Sequence, residues 1–351
     1  MFQRFNALIF ILLVFIFFSC SEENIKIPTD DNIISLPKDI KKIEYRDRER
    51  KFDYEFNSEN NLLNTLIITS INPNHEDKII SKRVISFYYN NTNQLIKVVY
   101  ELIKIEEHIN EIQEFEIEYI IKSSNGFMTQ TELIYSNYNE STAKYEVGFT
   151  KREFEYEDQK LTKITIYWDG KEFLSEIKNF DNFDLSLISK EKLEYDASGN
   201  IMMSEQQSYG HIGVTNNQSK PQPIASPQSN FTLNDRDTSD WRSIRTDHLE
   251  YDDKKNPLSG LNYSARVFLY SLGFVEGFFL KTPLLTLNNM KKLNTEYEYS
   301  IPWREGFKFE RIFETNYDED NLPIDVSINS TFSTPLTTSY TRSLKYEYKD
   351  Q

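Results

Sequence analysis

Leu193-Glu194-Tyr195-Asp196-Ala197-Ser198-Gly199-Asn200-Ile201 decides how this chain folds: an outgoing strand ending in an aromatic-acidic pair, a polar turn, and an apolar residue opening a return strand. Asp, Asn, Ser and Gly accept left-handed backbone angles and hydrogen-bond their own main chain, while Tyr, Leu and Ile suit a pleated surface. The product is a β-hairpin. Variants of the unit stand at 52–57 returning at Asn61-Leu62, 87–90 returning at Gln94-Leu95, 154–158 returning at Leu161, 249–252 returning at 256–258, and Tyr317-Asp318 returning at Asn321-Leu322. Weaker copies fall at 123–127 and 288–290.

Taking the turns to open at 57, 90, 123, 157, 196, 252, 288 and 318, the intervals are 33, 33, 34, 39, 56, 36 and 30 residues. A recurring interval marks a repeat architecture. Between these turns lies a second class of connection, at 72–74, 106–110, 136–142 and Asp169-Gly170, the last with the composition of a type I′ turn. Two strands and two turns per unit make an up-and-down meander. The strands 114–119 and 153–157 alternate strictly, with aromatics and Ile on one face and carboxylates on the other, as half-buried antiparallel strands do.

The expected fold is therefore all-β: a long antiparallel up-and-down meander sheet of hairpin repeats, about 33 residues each, filling a single domain over 41–351. Two stretches break the rhythm. Residues 205–240, rich in Gln, Asn, Ser and Pro, read as a long mobile loop. Residues 264–279 carry Phe268, Leu272, Val275 and Phe279 at helical spacing and read as one short helical insertion covering a face or end of the sheet.

Ala7 to Phe18 is an apolar run after a single positive charge, Arg4, and ends in Ser19-Cys20. It is too short to span a bilayer, which takes roughly 20 apolar residues, and reads as a signal peptide, 1–19. The only cysteine of the chain stands where the signal would be cut. Residues 20–40, with Pro28, Pro37 and Asp30-Asp31, read as a tether. The formal charge of −15 speaks against nucleic acid and against attraction to anionic lipid heads, since both need clustered Lys and Arg.

Catalytic constellations do not emerge. His75, His108, His211 and His248 are isolated, with no two-His zinc spacing, no nucleophile elbow and no phosphate-binding glycine loop. Residues 234–240 alternate oxygen ligands as a calcium loop does, yet lack the turn glycine and the closing bidentate Glu, and Arg236 opposes a cation. No metal, cofactor or catalytic residue is expected. Trp168, beside the expected Asp169-Gly170 turn, and Trp303, in Pro302-Trp303-Arg304, are candidate stacking platforms for a sugar, and Trp241 closes the long loop.

Phe17-Phe18-Ser19-Cys20 resembles a bacterial lipoprotein lipobox, which implies lipid on Cys20, and Ser21-Glu22-Glu23 resembles the acidic export signal of surface lipoproteins of Bacteroidetes. The recurring Tyr-Asp, polar turn and Asn-apolar return resemble the YD repeats of Rhs-type proteins and, more closely, of repeat-bearing Bacteroidetes lipoproteins. The function of those lipoproteins is mostly undefined; with the lipobox, the export signal and the lack of catalytic motifs, the expectation is an outer-membrane, surface-facing, noncatalytic interaction scaffold, anchored through Cys20 and meeting an unknown protein or glycan. The alternatives are a glycan-binding accessory of a nutrient-uptake system, a periplasm-facing anchor, and an unrecognised hydrolase.

Overall fold

A computed structural model describes residues 39–47, 50–72, 74, 78–106, 109–139, 144–174, 186–209, 241–272, 281–299, 306–333 and 338–349. Sixteen strands follow one another: β1 Ile40–Arg46, β2 Lys51–Glu59, β3 Leu62–Ile71, β4 Ile79–Tyr89, β5 Leu95–Glu106, β6 Ile109–Ser124, β7 Phe127–Asn139, β8 Lys144–Glu157, β9 Lys160–Leu174, β10 Ser186–Tyr195, β11 Ile201–Tyr209, β12 Trp241–Lys255, β13 Asn288–Tyr299, β14 Phe307–Tyr317, β15 Pro323–Ser333 and β16 Thr338–Tyr348. Each strand pairs antiparallel with the strands before and after it in sequence. The meander does not stay open: β1 pairs with β16, Ile43 opposite Tyr346 and Tyr45 opposite Leu344, and the sheet closes into a barrel.

The up-and-down order explains the 33-residue interval. In an up-and-down barrel alternate turns fall on opposite rims, so one interval spans an outgoing strand, a return strand and both of their turns. The Tyr-Asp turns therefore all lie on one rim. They come in two forms. Asn60-Asn61, Asn125-Gly126 and Asp158-Gln159 are two-residue turns with both φ positive, between +47° and +82°. The turns at 90–94, 196–200 and 318–322 are longer, with one left-handed residue each, Asn93, Gly199 and Asn321. In these the leading side chain caps the turn: Asn90 Oδ1 accepts from the amides of Thr92 and Gln94, Asp196 Oδ1 from Asn200, and Asp318 Oδ1 from Asp320 and Leu322.

Several sequence expectations shift. Asp169-Gly170 is not a turn: Asp169 pairs with Phe149 inside β9, which runs on to Leu174. Its carboxylate-glycine signal is overridden by a ladder that continues on both sides. Asn57 and Asp252 also lie within strands, so those turns come later than their composition suggested, and the weak copy at 288–290 is the start of β13. The first five residues of the expected loop 205–240 extend β11 to Tyr209, paired with β12; the remainder lies outside the described residues, as does the signal peptide. β1 begins at Ile40, the last residue assigned to the tether.

The helical insertion forms as α1, Tyr263–Leu272, and residues 273–279 of the expected segment lie outside the described residues. It covers no outer face. Ala265 to Ser271 are buried without exception, all the way round two turns of helix, which places α1 inside the barrel. Phe268 meets the rings of Phe87 on β4 and Tyr119 on β6 edge-on, at 6.1 and 5.1 Å. On the other side Tyr270 reaches Glu191 of β10. A lumen of sixteen strands is too wide for wall side chains alone to fill, and the helix occupies it next to the Tyr-Asp rim. Here the inward residues Ile43, Tyr54, Leu66, Ile85, Val98, Leu193, Leu293 and Ile328 form one buried core with α1.

The outer face is built of ion pairs. Lys42 bridges Glu44 and Asp53, and further pairs are Lys97–Glu118, Lys122–Glu132, Lys151–Glu153, Lys163–Glu155, Lys292–Glu310 and Lys308–Glu296. Exposed apolar residues are interleaved with them: Ile120 lies between Glu118 and Lys122 on one face, and Ile312 between Glu310 and Glu314. A barrel that sits in lipid carries an outward apolar band about 25 Å tall. Among the described residues this barrel has none, and its apolar side is the inside.

Candidate functional site: an arginine and aromatic wall inside the barrel

The strands β12 to β16 leave the core rim as apolar inward rows and change character toward the opposite rim. On this inward face stand Tyr297 and Tyr299 of β13, Phe307 and Phe309 of β14, Phe332 of β15 and Tyr340 of β16. Register brings them side by side, because Tyr297 faces Phe307, Phe309 faces Phe332, and Tyr340 is one step along. The rings lie nearly parallel: Tyr297 and Phe307 have centroids 4.4 Å apart at 18°, and Phe332 and Tyr340 5.6 Å apart at 21°. Phe309 joins the two pairs at 6.3 Å from Tyr297 and 5.4 Å from Phe332. All but Phe309 remain partly exposed, whereas inward side chains at the core rim are buried.

Three arginines lie between these rings on the same face. The guanidinium carbon of Arg245 is 5.7 Å from the Tyr297 ring, that of Arg311 4.7 Å from Phe309, and that of Arg342 4.4 Å from Tyr340. Arg245 is held by Asp247, whose Oδ1 also accepts from the Thr295 hydroxyl at 2.5 Å. Arg342 donates to the Tyr340 hydroxyl at 2.7 Å and lies 3.7 Å from Asp47, which in turn accepts from Tyr45. Burial, and next the nearby Arg342, lower the pKa of the Arg311 guanidinium from its ordinary value. A row of cations has thus been set inside a protein whose formal charge is −15. Chemically the wall offers flat apolar faces for stacking and planar donors for carboxylate, sulfate or hydroxyl oxygens.

The buried acids of the lumen are already engaged. Glu191 accepts from Tyr270 at 2.5 Å, from Ser204 at 2.8 Å and from Lys281 at 2.8 and 3.0 Å. Burial alone would push its carboxyl up, but Lys281 and the hydroxyl donors hold it below the ordinary value. Among the described residues no group of three or more His, Cys, Asp and Glu could hold a metal. An external hollow of about 650 Å³ at the Tyr-Asp rim is lined by Asp196, Asn200, Glu250, Asp252 and Asn288, and of these Asp196 and Asp252 accept from nearby main-chain amides.

The residues singled out in the sequence are not brought together here. Trp168 lies within β9, its backbone paired with Thr150 and Ser186, rather than beside a turn. Trp303 and Cys20 lie outside the described residues, and Trp241 is the first residue of β12. The wall itself had a signal that the alternation contains. Arg245, Arg311 and Arg342 stand on the aromatic parity of their strands, as Arg311 does between Phe309 and Phe313, where a solvent-facing cation would stand on the other.

The fold and site define a sixteen-stranded up-and-down barrel with an internal helix and an arginine-lined lumen. Two solved structures align with it: a porin-like protein from Bacteroides uniformis, 10% identical over 90% of this chain and 100% of that one with a TM-score of 0.36, and a porin-like protein from Bacteroides vulgatus, also 10% identical over 90% and 100%, with a TM-score of 0.41. Neither is close enough for a property of those proteins to pass to this one. No family model matches the chain, and no curated protein does.

Proposed function

We propose that the chain is a noncatalytic cell-envelope lipoprotein, held at the bacterial outer membrane by lipid on Cys20, whose interaction surface is the wall inside its barrel and not the outer face of its sheet. The wall of partly exposed Tyr297, Phe307, Phe332 and Tyr340 with Arg245, Arg311 and Arg342 carries this reading. The ion-paired exterior supports a barrel that stands in water beside the membrane, on a tether, and α1 across the lumen supports binding over conduction. Glu191 and Asp247 are tied up in ion pairs, which favours binding over hydrolysis.

The same wall favours a glycan ligand, and within that class an acidic one: rings stack on sugar faces, and guanidinium groups pair with carboxylates or sulfates. This moves the stacking role from Trp168 and Trp303 to Tyr297 and Phe307. Binding to a glycan array is the test. Uronic-acid or sulfated glycans should be retained, and the double substitution Tyr297→Leu with Phe307→Leu, which keeps apolar volume but removes the rings, should abolish retention. Retention unchanged in that variant would move the site off the wall, and the absence of binding to any glycan would leave a protein partner as the ligand class.

A further inference from the structure

Arg152 stands on the inward face of β8, directly opposite Thr131 of β7, and is 8% exposed. Its guanidinium carbon lies 5.4 Å from the ring of Tyr119, and Tyr119 meets Phe268 of α1, so Arg152 sits where the lumen reaches the helix. Among the described residues, Nε and Nη1 of Arg152 are buried with no hydrogen-bond partner, and so is the hydroxyl of Thr131, which is itself 1% exposed. The electrostatic neighbour among the described residues is the Tyr119 phenol, not a carboxylate. Burial pushes the Arg152 guanidinium below its ordinary range, and Tyr119 opposes that shift.

An arginine does not escape such a position by losing its proton, because the guanidinium stays charged in proteins. A buried guanidinium with two orphan donors and no counter-charge is an unfavourable arrangement unless something supplies the charge and the acceptors. The third orphan, the Thr131 hydroxyl, can donate to the same group. Three unsatisfied buried polar atoms on paired residues are what an anion site presents before its anion is in place.

We propose that Arg152 and Thr131, at the floor of the lumen, form a binding site for a small monoanion, either a free halide or the carboxylate end of a larger molecule. The site is separate from the wall on β12 to β16 and stands or falls without it. Bromide is the probe. Crystals of the full chain grown in sodium bromide should show an anomalous peak in contact with Arg152 Nε or Nη1, and the melting temperature should rise with bromide concentration. In Arg152→Met the peak should vanish, and the melting temperature should become insensitive to bromide while starting higher at low salt. Thr131→Val, which removes a hydroxyl and little else, should keep the fold and weaken bromide at least several-fold. A matching rise with sodium acetate, also lost in Arg152→Met, assigns the site to carboxylates as well; a rise with bromide alone assigns it to free halide. No peak near Arg152, with wild type and both variants responding to bromide in parallel, overturns the proposal.

Discussion

The hydroxyl of Tyr195 donates to the main-chain carbonyl of Leu161 at 2.8 Å, across 34 residues of sequence. The main-chain amide of that same Leu161 donates to the hydroxyl of Tyr263, the first residue of α1, at 3.0 Å. The relationship recurs: Tyr89 bonds the carbonyl of Leu63, Tyr156 that of Met128, Tyr251 that of Ile201 and Tyr348 that of Pro323, all at 2.8 to 3.0 Å. At most of these tyrosines the ladder slips, with bulges at Tyr88/Tyr89, Glu155/Tyr156, Glu194/Tyr195 and Glu250/Tyr251. A bulge leaves main-chain groups unpaired, and these five tyrosines reach back to a carbonyl of the preceding return strand, whereas Tyr317 donates to the Asp252 carboxylate.

Tyr195→Phe keeps the ring and removes the bond. It should cost about 1–2 kcal/mol, since it leaves a buried carbonyl unsatisfied, read as a lower urea midpoint at unchanged slope. An equal stability for the two proteins would mean that Leu161 finds another donor.

Phe268 is fully buried between Phe87 and Tyr119. Phe268→Ala should lower stability by about 3–5 kcal/mol through the cavity it leaves, and deuterium uptake should rise first in β4, β6 and α1. A loss under about 1 kcal/mol would place the helix outside the cooperative core.

Gly199 holds φ at +87°, and an added Cβ would lie 3.1 Å from the Leu287 side chain. Gly199→Val therefore meets both a backbone and a packing penalty and should cost more than about 1 kcal/mol. Asn321→Gly, where φ is +60°, should be neutral or slightly stabilising by thermal unfolding.

Glu191 ties β10 to Lys281 and to Tyr270 of α1, and its carboxyl is held below the ordinary value. A depressed folded-state pKa contributes stability that is complete above the unfolded value, about 4.3, and is lost as pH falls through the folded one. Unfolding free energy measured from pH 6 to pH 3 should drop along this range, and in Glu191→Gln the part due to this group should be absent. Glu191→Gln should also be less stable than wild type at pH 7, because the half-buried Lys281 is left without its counter-charge.

The rim of Tyr-Asp turns was legible because its chemistry is local: Asn60, Asn93, Gly199 and Asn321 announce positive φ by residue type alone. The alternation of 153–157 likewise announced its two faces, with Phe154 inward and buried and Glu155 outward in an ion pair. Closure was not legible. It depends on the strand count and stagger of the whole sheet, and meets at Ile43 and Tyr346, which are 303 residues apart by their own numbers. The position of α1 followed the same limit, since its apolar stripe fits an outer face as well as a lumen. Asp169-Gly170 misled because turn composition was weighed without the pairing of β8 and β9 around it.

The proposed function requires a barrel whose outside faces water and whose inside does the binding. A protease site inserted between Ser21 and Pro37, cleaved in isolated outer membranes, tests it most directly. Cleavage should release the barrel into detergent-free buffer as a folded β-protein with Phe268 still buried. A cleaved barrel that stays in the membrane and resists extraction by urea would contradict it, and would mean that the ion pairs of Lys97, Lys122 and Lys163 do not face solvent.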